Sequence, residues 1–292
     1  MKRVLITGAN SYIGTSFENY MSQWAEEYQV DTVDMIEGKW RKKDFSKYDA
    51  VFHVAGIAHS DKGKISAEKE KLYYAVNTDL TVETAKKAKA EGVKQFIFMS
   101  SAIVYGDSAP IGKSKRITKD TPTSPVNCYG DSKVQAENGL LPLNDNFFKV
   151  VVLRPPMIYG KGSKGNYPLL AKIATKLPIF PYVKNERSML YIENLTEFVK
   201  LMIDNEEQGI FWPQNAEYSN TSELVKMISD VHGKSMVLIS GFGWALKKLG
   251  CITGIVNKAF GSLSYDMSLS EYKCEYRKYS LQESVKKTEG NV

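Results

Sequence analysis

The chain opens on a short β-branched run, residues 4–7, that stops at Gly8, and a mixed apolar and polar stretch near residues 15–28 follows with helical length and spacing. This predicts strand, tight turn, helix. The alternation continues with an apolar run ending at Val33, another over residues 50–55, a helix-like stretch over 77–90 and an apolar strand over 96–99. A further strand, "KVVVLRP" (149–155), follows a helix that includes residues 133–140, and Pro155 marks its end. Strands separated by helices imply a parallel sheet with right-handed crossovers, so the expected fold is α/β with a doubly wound sheet.

After Arg154 the texture changes to glycine, proline and longer apolar stretches, as in "GKGSKGNYPLL" and "LPIFPY". This predicts a first domain over residues 1–160, with 191–215 returning to it through the helix "YIENLTEFVKLMI", and a smaller lobe over 161–190 and 216–292. The glycine-interrupted apolar segment 241–261 reads as a helical part of that lobe. Lys247, Lys248 and Lys258 keep contact with a membrane surface open there.

Composition narrows the class. A chain of 292 residues with 43% hydrophobic and 25% charged residues can bury a full core and is not disordered. The net charge of +6 is spread along the chain without an arginine-rich block, which argues against nucleic acid as a partner. Three cysteines, Cys128, Cys251 and Cys274, show no CxxC spacing, and three scattered histidines offer no metal cluster. A reducing cytoplasmic compartment is expected. The N-terminal run is too short for a signal peptide, and no 18-residue apolar segment is long enough to span a membrane.

Candidate chemistry begins in "TGANSYIG" (7–14). Gly8 and Gly14 flank the first strand-to-helix turn, and with Asn10, Ser11, Tyr12 and Ile13 they place backbone amides where a dinucleotide pyrophosphate would bind. Asp34, twenty residues past Gly14, is placed to accept from both hydroxyls of an adenosine ribose and to repel a 2′-phosphate, which favours NAD. The basic residues Lys39, Arg41, Lys42 and Lys43 keep NADP open. Asp44 is a candidate for the adenine amino group, and Ala55 and Gly56 leave room beside the cofactor at the end of the fourth strand.

Tyr129 and Lys133 lie one helical turn apart on one face. A tyrosine loses its proton near pH ~10 in water, so a neighbouring cation is needed for it to act as a base at neutral pH, and Lys133 can supply one while reaching the nicotinamide ribose. Ser101, at the end of the fifth strand, is placed to hold the reacting hydroxyl or carbonyl near Tyr129. The spacing alone arises by chance in a lysine-rich chain. The weight rests on the order of glycine turn, Asp34, "HVAG", Asn77, Ser101, Tyr129 and Lys133 at successive strand ends.

With "DAVFHVAG", "NTDLTVETAKKA", "SSAIVYG", "YGDSK", "LRPPMIYGKG" and "RSMLYIENL", the chain resembles the extended short-chain dehydrogenase/reductase family, specifically its nucleotide-sugar epimerases, dehydratases and 4-keto reductases. The resemblance implies a Rossmann-type NAD-binding domain with a C-terminal substrate lobe, Ser101, Tyr129 and Lys133 as the catalytic triad, and a UDP-sugar whose pyrophosphate is held by Asn166 and Arg187. It also implies a homodimer paired through two helices. Three departures matter. Ser11 replaces the middle turn glycine; Ala102 and Ile103 replace the acidic pair of 4,6-dehydratases; and Pro155 and Pro156 replace the aromatic-asparagine pair of ordinary 4-epimerases. "RPPMIYGKGSKGN", "RSMLYIENL" and "FGSLSYDMS" look most like reductases of UDP-4-keto sugars from bacterial surface-polysaccharide synthesis. The expectation is therefore a C4 oxidoreductase, with 4-keto reduction favoured over 4-epimerisation of UDP-glucose or UDP-N-acetylglucosamine, and over reduction of a non-sugar ketone.

Overall fold

A computed structural model describes residues 1–57, 65–241, 257 and 259–290. The expectation for residues 241–261 falls largely outside them. The chain divides into two units, the first made of Met1–Gly106, Thr123–Pro155 and Thr196–Trp212.

The first unit is built on strands β1 (Lys2–Thr7), β2 (Tyr28–Val33), β3 (Ala50–His53) and β4 (Gln95–Met99), continued by strands Lys149–Leu153 and Gly209–Phe211. All pair in parallel, in the spatial order β2, β1, β3, β4, Lys149–Leu153, Gly209–Phe211. β3 and β4 are buried along their whole length, which is why they read as unbroken apolar runs. On one side of the sheet Phe96, Phe98, Val150 and Val152 pack with Ala85, Ala136 and Trp40. The chain passes from β1 to β2 on one flank and then to β3 on the other. The C-terminal ends of β1 and β3 therefore frame the point where strand order reverses, the place where such sheets bind ligands.

Several boundaries differ from the sequence expectation. Between Val33 and Ala50 the chain makes 3-10 turns over Ile36–Lys42, with Glu37 and Gly38 at φ of 61° and 72°. Ala55 and Gly56 thus follow the third strand of the sheet, and Ser101 the fourth. Helix α1 spans Tyr12–Met21 instead of reaching Tyr28, because its buried stripe, Gly14, Phe17 and Met21, ends there. The helix expected from Asn77 begins earlier, as α2 (Ala67–Tyr74), and runs through a π-helical turn, Ala75–Asp79, into α3 (Leu80–Ala90). α2 escaped notice because "AEKEKLYY" buries only Tyr73 and carries no apolar stripe. Helix α4 (Cys128–Leu140) starts one residue before Tyr129, where the Asn127 side chain caps it by accepting the Gly130 amide at 2.8 Å.

The second unit comprises Asp107–Pro122, Pro156–Leu195 and Pro213–Val292. It contains helices α5 (Asn166–Lys176) and α7 (Thr221–Val231), a final helix Leu281–Glu289, and short parallel strand pairs such as Met157–Tyr159 with Met189–Tyr191. Between α5 and α7 the chain runs through α6 (Ile192–Asp204), which starts in this unit and continues into the first from Thr196. Residues 107–122, assigned to the first domain from sequence, lie in this unit. The cause is "FGSLSYDMS": Ser262 accepts the Ala109 amide, and the amides of Ser264 and Asp266 donate to Lys115 and Ile117. Pairing with a segment about 150 residues away leaves no local sequence trace. Among the described residues no helix is long and apolar enough to cross a membrane, and no cluster of histidine, cysteine or carboxylate side chains suits a metal ion.

Candidate active site

The first wall of the site is the turn after β1. Gly8 sits at φ +107°, and a Cβ there would lie 2.8 Å from the Ala55 backbone nitrogen, so only glycine lets β1 and the end of β3 come this close. The Gly8 amide donates to Val33 at 2.9 Å and the Ala55 amide to Thr7 at 2.9 Å, locking the three strand ends together. Asn10 takes a left-handed φ of 62°, and Ser11 caps α1 by accepting the Gly14 amide at 3.1 Å. Ser11 therefore does structural work where the family pattern has glycine; its oxygen is engaged by the helix while its hydroxyl proton remains able to donate. Tyr12 and Ile13 open α1, and Gly14 is pressed against Ile6 and Val54.

Asp34 is exposed just past β2, with Oδ1 accepting the Ile36 amide at 2.8 Å. Asp44 is also exposed and accepts from both the amide and the hydroxyl of Ser46, which hold its carboxyl below the usual range. These cradles, a glycine turn that a methyl group would fill and a helix N-terminus beside an exposed aspartate, fit a dinucleotide.

The second wall is more tightly built. Fully buried Asn77, on the π-helical turn, accepts the Ile57 amide at 2.8 Å and donates to the Ile57 carbonyl and to Ser132 Oγ at 3.2 and 3.1 Å. It thereby fixes the chain after Gly56, whose Cα faces both Asn77 Oδ1 and Lys133 Nζ, at 3.0 and 3.4 Å from a built Cβ. Lys133 is 5% exposed; its Nζ donates to the Met99 carbonyl at 2.8 Å and sits 4.6 Å from the centre of the Phe98 ring. Burial pulls its pKa down to about 8, against the opposing charge of Glu137.

Ser101 is extended at φ −165° and caps the 3-10 turn Ala102–Tyr105, and its side chain is hydrogen-bonded to Tyr129. Burial raises the Tyr129 phenol above its ordinary value, with the Ser101 bond acting the other way.

Consecutive turns of α4 thus hold consecutive residues at the end of β4: Tyr129 meets Ser101, Lys133 meets Met99, and Glu137 meets Ser100 through a 2.5 Å hydrogen bond from the serine hydroxyl. Glu137, 2% exposed, also accepts from Arg154 Nη2 at 2.5 Å and Nε at 3.1 Å, while Arg154 Nη1 and Trp212 Nε1 both donate to the Tyr105 hydroxyl at 2.7 Å. Sequence reasoning passed over Glu137, Arg154 and Ser100. The signal was there, since Glu137 lies four residues past Lys133 on the same helix face.

Asn166 and Arg187 belong to the second unit. Asn166 is exposed at the first position of α5. Arg187 donates from Nη1 to the Gly261 carbonyl at 3.0 Å, and burial lowers its pKa.

Residues 4–211 match the NAD dependent epimerase/dehydratase family. A UDP-glucose 4-epimerase from Vibrio cholerae is 30% identical over 98% of this chain and 94% of its own length. An N-acetyl-α-D-glucosaminyl-diphospho-ditrans,octacis-undecaprenol 4-epimerase from Escherichia coli O157:H7 is 30% identical over 70% of this chain and 64% of its own. Among solved structures, a UDP-glucuronic acid 4-epimerase from Bacillus cereus in complex with NAD superposes with a TM-score of 0.73 at 19% identity, over 98% of this chain and 95% of that one. The fold and the family match define an α/β enzyme with a Rossmann-type parallel sheet, of an NAD-dependent class. The chain belongs to the NAD dependent epimerase/dehydratase family.

Proposed function

We propose that the enzyme moves hydride at C4 of a hexose carried on a diphosphate, as a nucleotide-sugar 4-epimerase, with Ser101, Tyr129 and Lys133 as its working residues. The observation that carries this is the clasp of α4 on the end of β4, which brings a half-buried phenol, its serine partner and a buried ammonium together on one wall. Bound NAD(P) supplies the hydride acceptor and donor. Gly8, Asn10, Ser11, Tyr12, Ile13, Gly14, Asp34, Asp44, Ala55, Gly56 and Asn77 would hold it, with Lys133 on the nicotinamide ribose. Tyr129 takes the C4 hydroxyl proton in one half-reaction and returns it in the other, Ser101 orients that oxygen, and the Lys133 charge steadies the phenolate. Asn166 and Arg187 are assigned to the sugar diphosphate, where an arginine fork suits phosphate.

The two 30% relatives support epimerisation. Net reduction of a 4-keto sugar, favoured from sequence, draws support from the Pro155–Pro156 pair and from a Tyr129 that rests protonated, as the donor in that direction must be. The deciding experiment incubates the protein with NAD and UDP-N-acetylglucosamine or UDP-glucose and follows C4 configuration by NMR. Epimer formed without net NADH change supports the epimerase. NADH consumed stoichiometrically with a 4-keto-6-deoxy sugar, and no epimer, supports the reductase. The pairing of protomers is assigned to the groove between α3 and α4 lined by Val82, Asn138 and Gly139, and light scattering tests it.

A further inference from the structure

Four cations, Lys39, Arg41, Lys42 and Lys43, follow the exposed carboxylate of Asp34 within nine residues, and an arginine near this strand end is what receives the extra phosphate of NADP. Arg41 is the only guanidinium among them, and its fork suits a phosphate monoester. The structure shows it engaged elsewhere. Its Nε and Nη2 donate to the two carboxylate oxygens of Glu83 on α3, each at 2.5 Å.

Two further neighbours surround the guanidinium there. It stacks on the Trp40 ring, 4.7 Å from the centre, and Trp40 itself is 1% exposed and rooted in the core. The left-handed pair Glu37 and Gly38 folds the loop so that Arg41 Nη1 would lie 2.9 Å from a Cβ at position 38. Neighbouring cations are also engaged: Lys39 pairs with Glu37 at 2.9 Å, and Lys43 lies over the Tyr48 ring.

We propose that Glu83 is a specificity-determining residue: by holding Arg41 in a bidentate fork it keeps the guanidinium from a ribose 2′-phosphate and makes the site select NAD over NADP together with Asp34. This rests on the cofactor reading above and deepens it. Asp34 disfavours the phosphate by repulsion, and Glu83 removes the one forked donor that would offset that repulsion. Because the Arg41–Glu83 pair is exposed, and such pairs add little to stability, changing it leaves the fold intact.

The test measures binding of NAD and NADP by calorimetry to the full chain and to Glu83→Gln, Arg41→Ala and the double variant. Wild-type protein is expected to bind NAD more tightly. Glu83→Gln is expected to gain roughly tenfold in NADP affinity with NAD affinity unchanged, and the gain is expected to vanish in the double variant. An unchanged NADP affinity in Glu83→Gln, or a gain that survives Arg41→Ala, overturns the proposal while the cofactor reading stands. Failure of the wild-type protein to bind either dinucleotide overturns the cofactor reading itself, and this proposal with it.

Discussion

The buried ion pair beneath the site gives the sharpest stability prediction. Arg154→Met removes both guanidinium donors from Glu137, leaving a carboxylate that is 2% exposed with Ser100 alone, and takes one of two donors from the Tyr105 hydroxyl. Removing one partner of such a pair costs about 3–5 kcal/mol, because the remaining charge stays desolvated. Glu137→Leu leaves the guanidinium in the converse position; desolvation already works against Arg154, whose pKa is nevertheless raised by Glu137 and Tyr105. Removing both charges in Glu137→Leu/Arg154→Met eliminates the penalty, so the double variant is expected within about 2 kcal/mol of wild type, with a coupling energy of about 3 kcal/mol or more. Urea unfolding, with midpoint and slope fitted for all four proteins, reads this directly. Additive single effects, or an Arg154→Met cost below about 1 kcal/mol, would refute the claim that this pair anchors the end of β4. The double variant also carries a functional arm. Without the Glu137 charge, desolvation at Lys133 is less opposed, so the Lys133 titration near pH 8 is expected to move lower even where stability is regained.

Three further outcomes follow from the geometry. Gly8→Ala meets both a φ of +107° and the Ala55 backbone at 2.8 Å, so it is expected to lower the urea midpoint well beyond Gly92→Ala, where φ is +82° in open space and the cost is about 1 kcal/mol; equal midpoints contradict the close-approach argument. His53 is fully buried between Thr7 and Thr81, and burial lowers its pKa to about 3. Its folded pKa is depressed, so its contribution is complete above the unfolded value and drains away as pH falls toward 3; at pH 5 the loss is roughly 2 kcal/mol. Stability unchanged between pH 7 and pH 5 removes that assignment. Tyr129→Phe is expected to abolish C4 turnover while leaving dinucleotide affinity within about twofold, since the phenol is assigned to proton transfer; turnover above about a tenth of wild type excludes that role.

The alternation of apolar strands and helices was legible because β3 and β4 bury both faces, and the glycine turn, Asp34, Ser101, Tyr129 and Lys133 were legible because each stands at a strand end or one helical turn from another. Three features were not. α2 lacks an apolar stripe, so no periodicity marks it. The π-helical turn that sets Asn77 arises from a continuous helix taking one extra residue, which leaves no signature in "AVNTD". The assignment of residues 107–122 to the second unit depends on hydrogen bonds to residues 262–266, and pairing over that separation is invisible to local pattern.

The same contrast explains why reaction direction is harder to read than fold. The clasp of α4 on β4 needs only the spacing Tyr129, Lys133, Glu137 against Met99, Ser100, Ser101, and either direction of hydride movement uses it unchanged. What distinguishes the directions is the resting state of the proton. Near neutral pH a tyrosine keeps its proton, burial raises the Tyr129 phenol further, and the Lys133 ammonium, whose pKa burial lowers to about 8, donates to the Met99 carbonyl. For oxidation, the first half of an epimerase cycle, Tyr129 must give up that proton before it can accept one, and Lys133 must swing from Met99 toward the phenol or the ribose to make this favourable. A 4-keto reductase begins from the protonated phenol and has no such requirement. Oxidation of the C4 alcohol is therefore expected to rise with pH through the Tyr129 titration, while 4-keto reduction holds a plateau at low pH and falls above it. Measuring both pH profiles on one preparation tests the argument, and coincident profiles would show that Tyr129 is not the group whose proton moves.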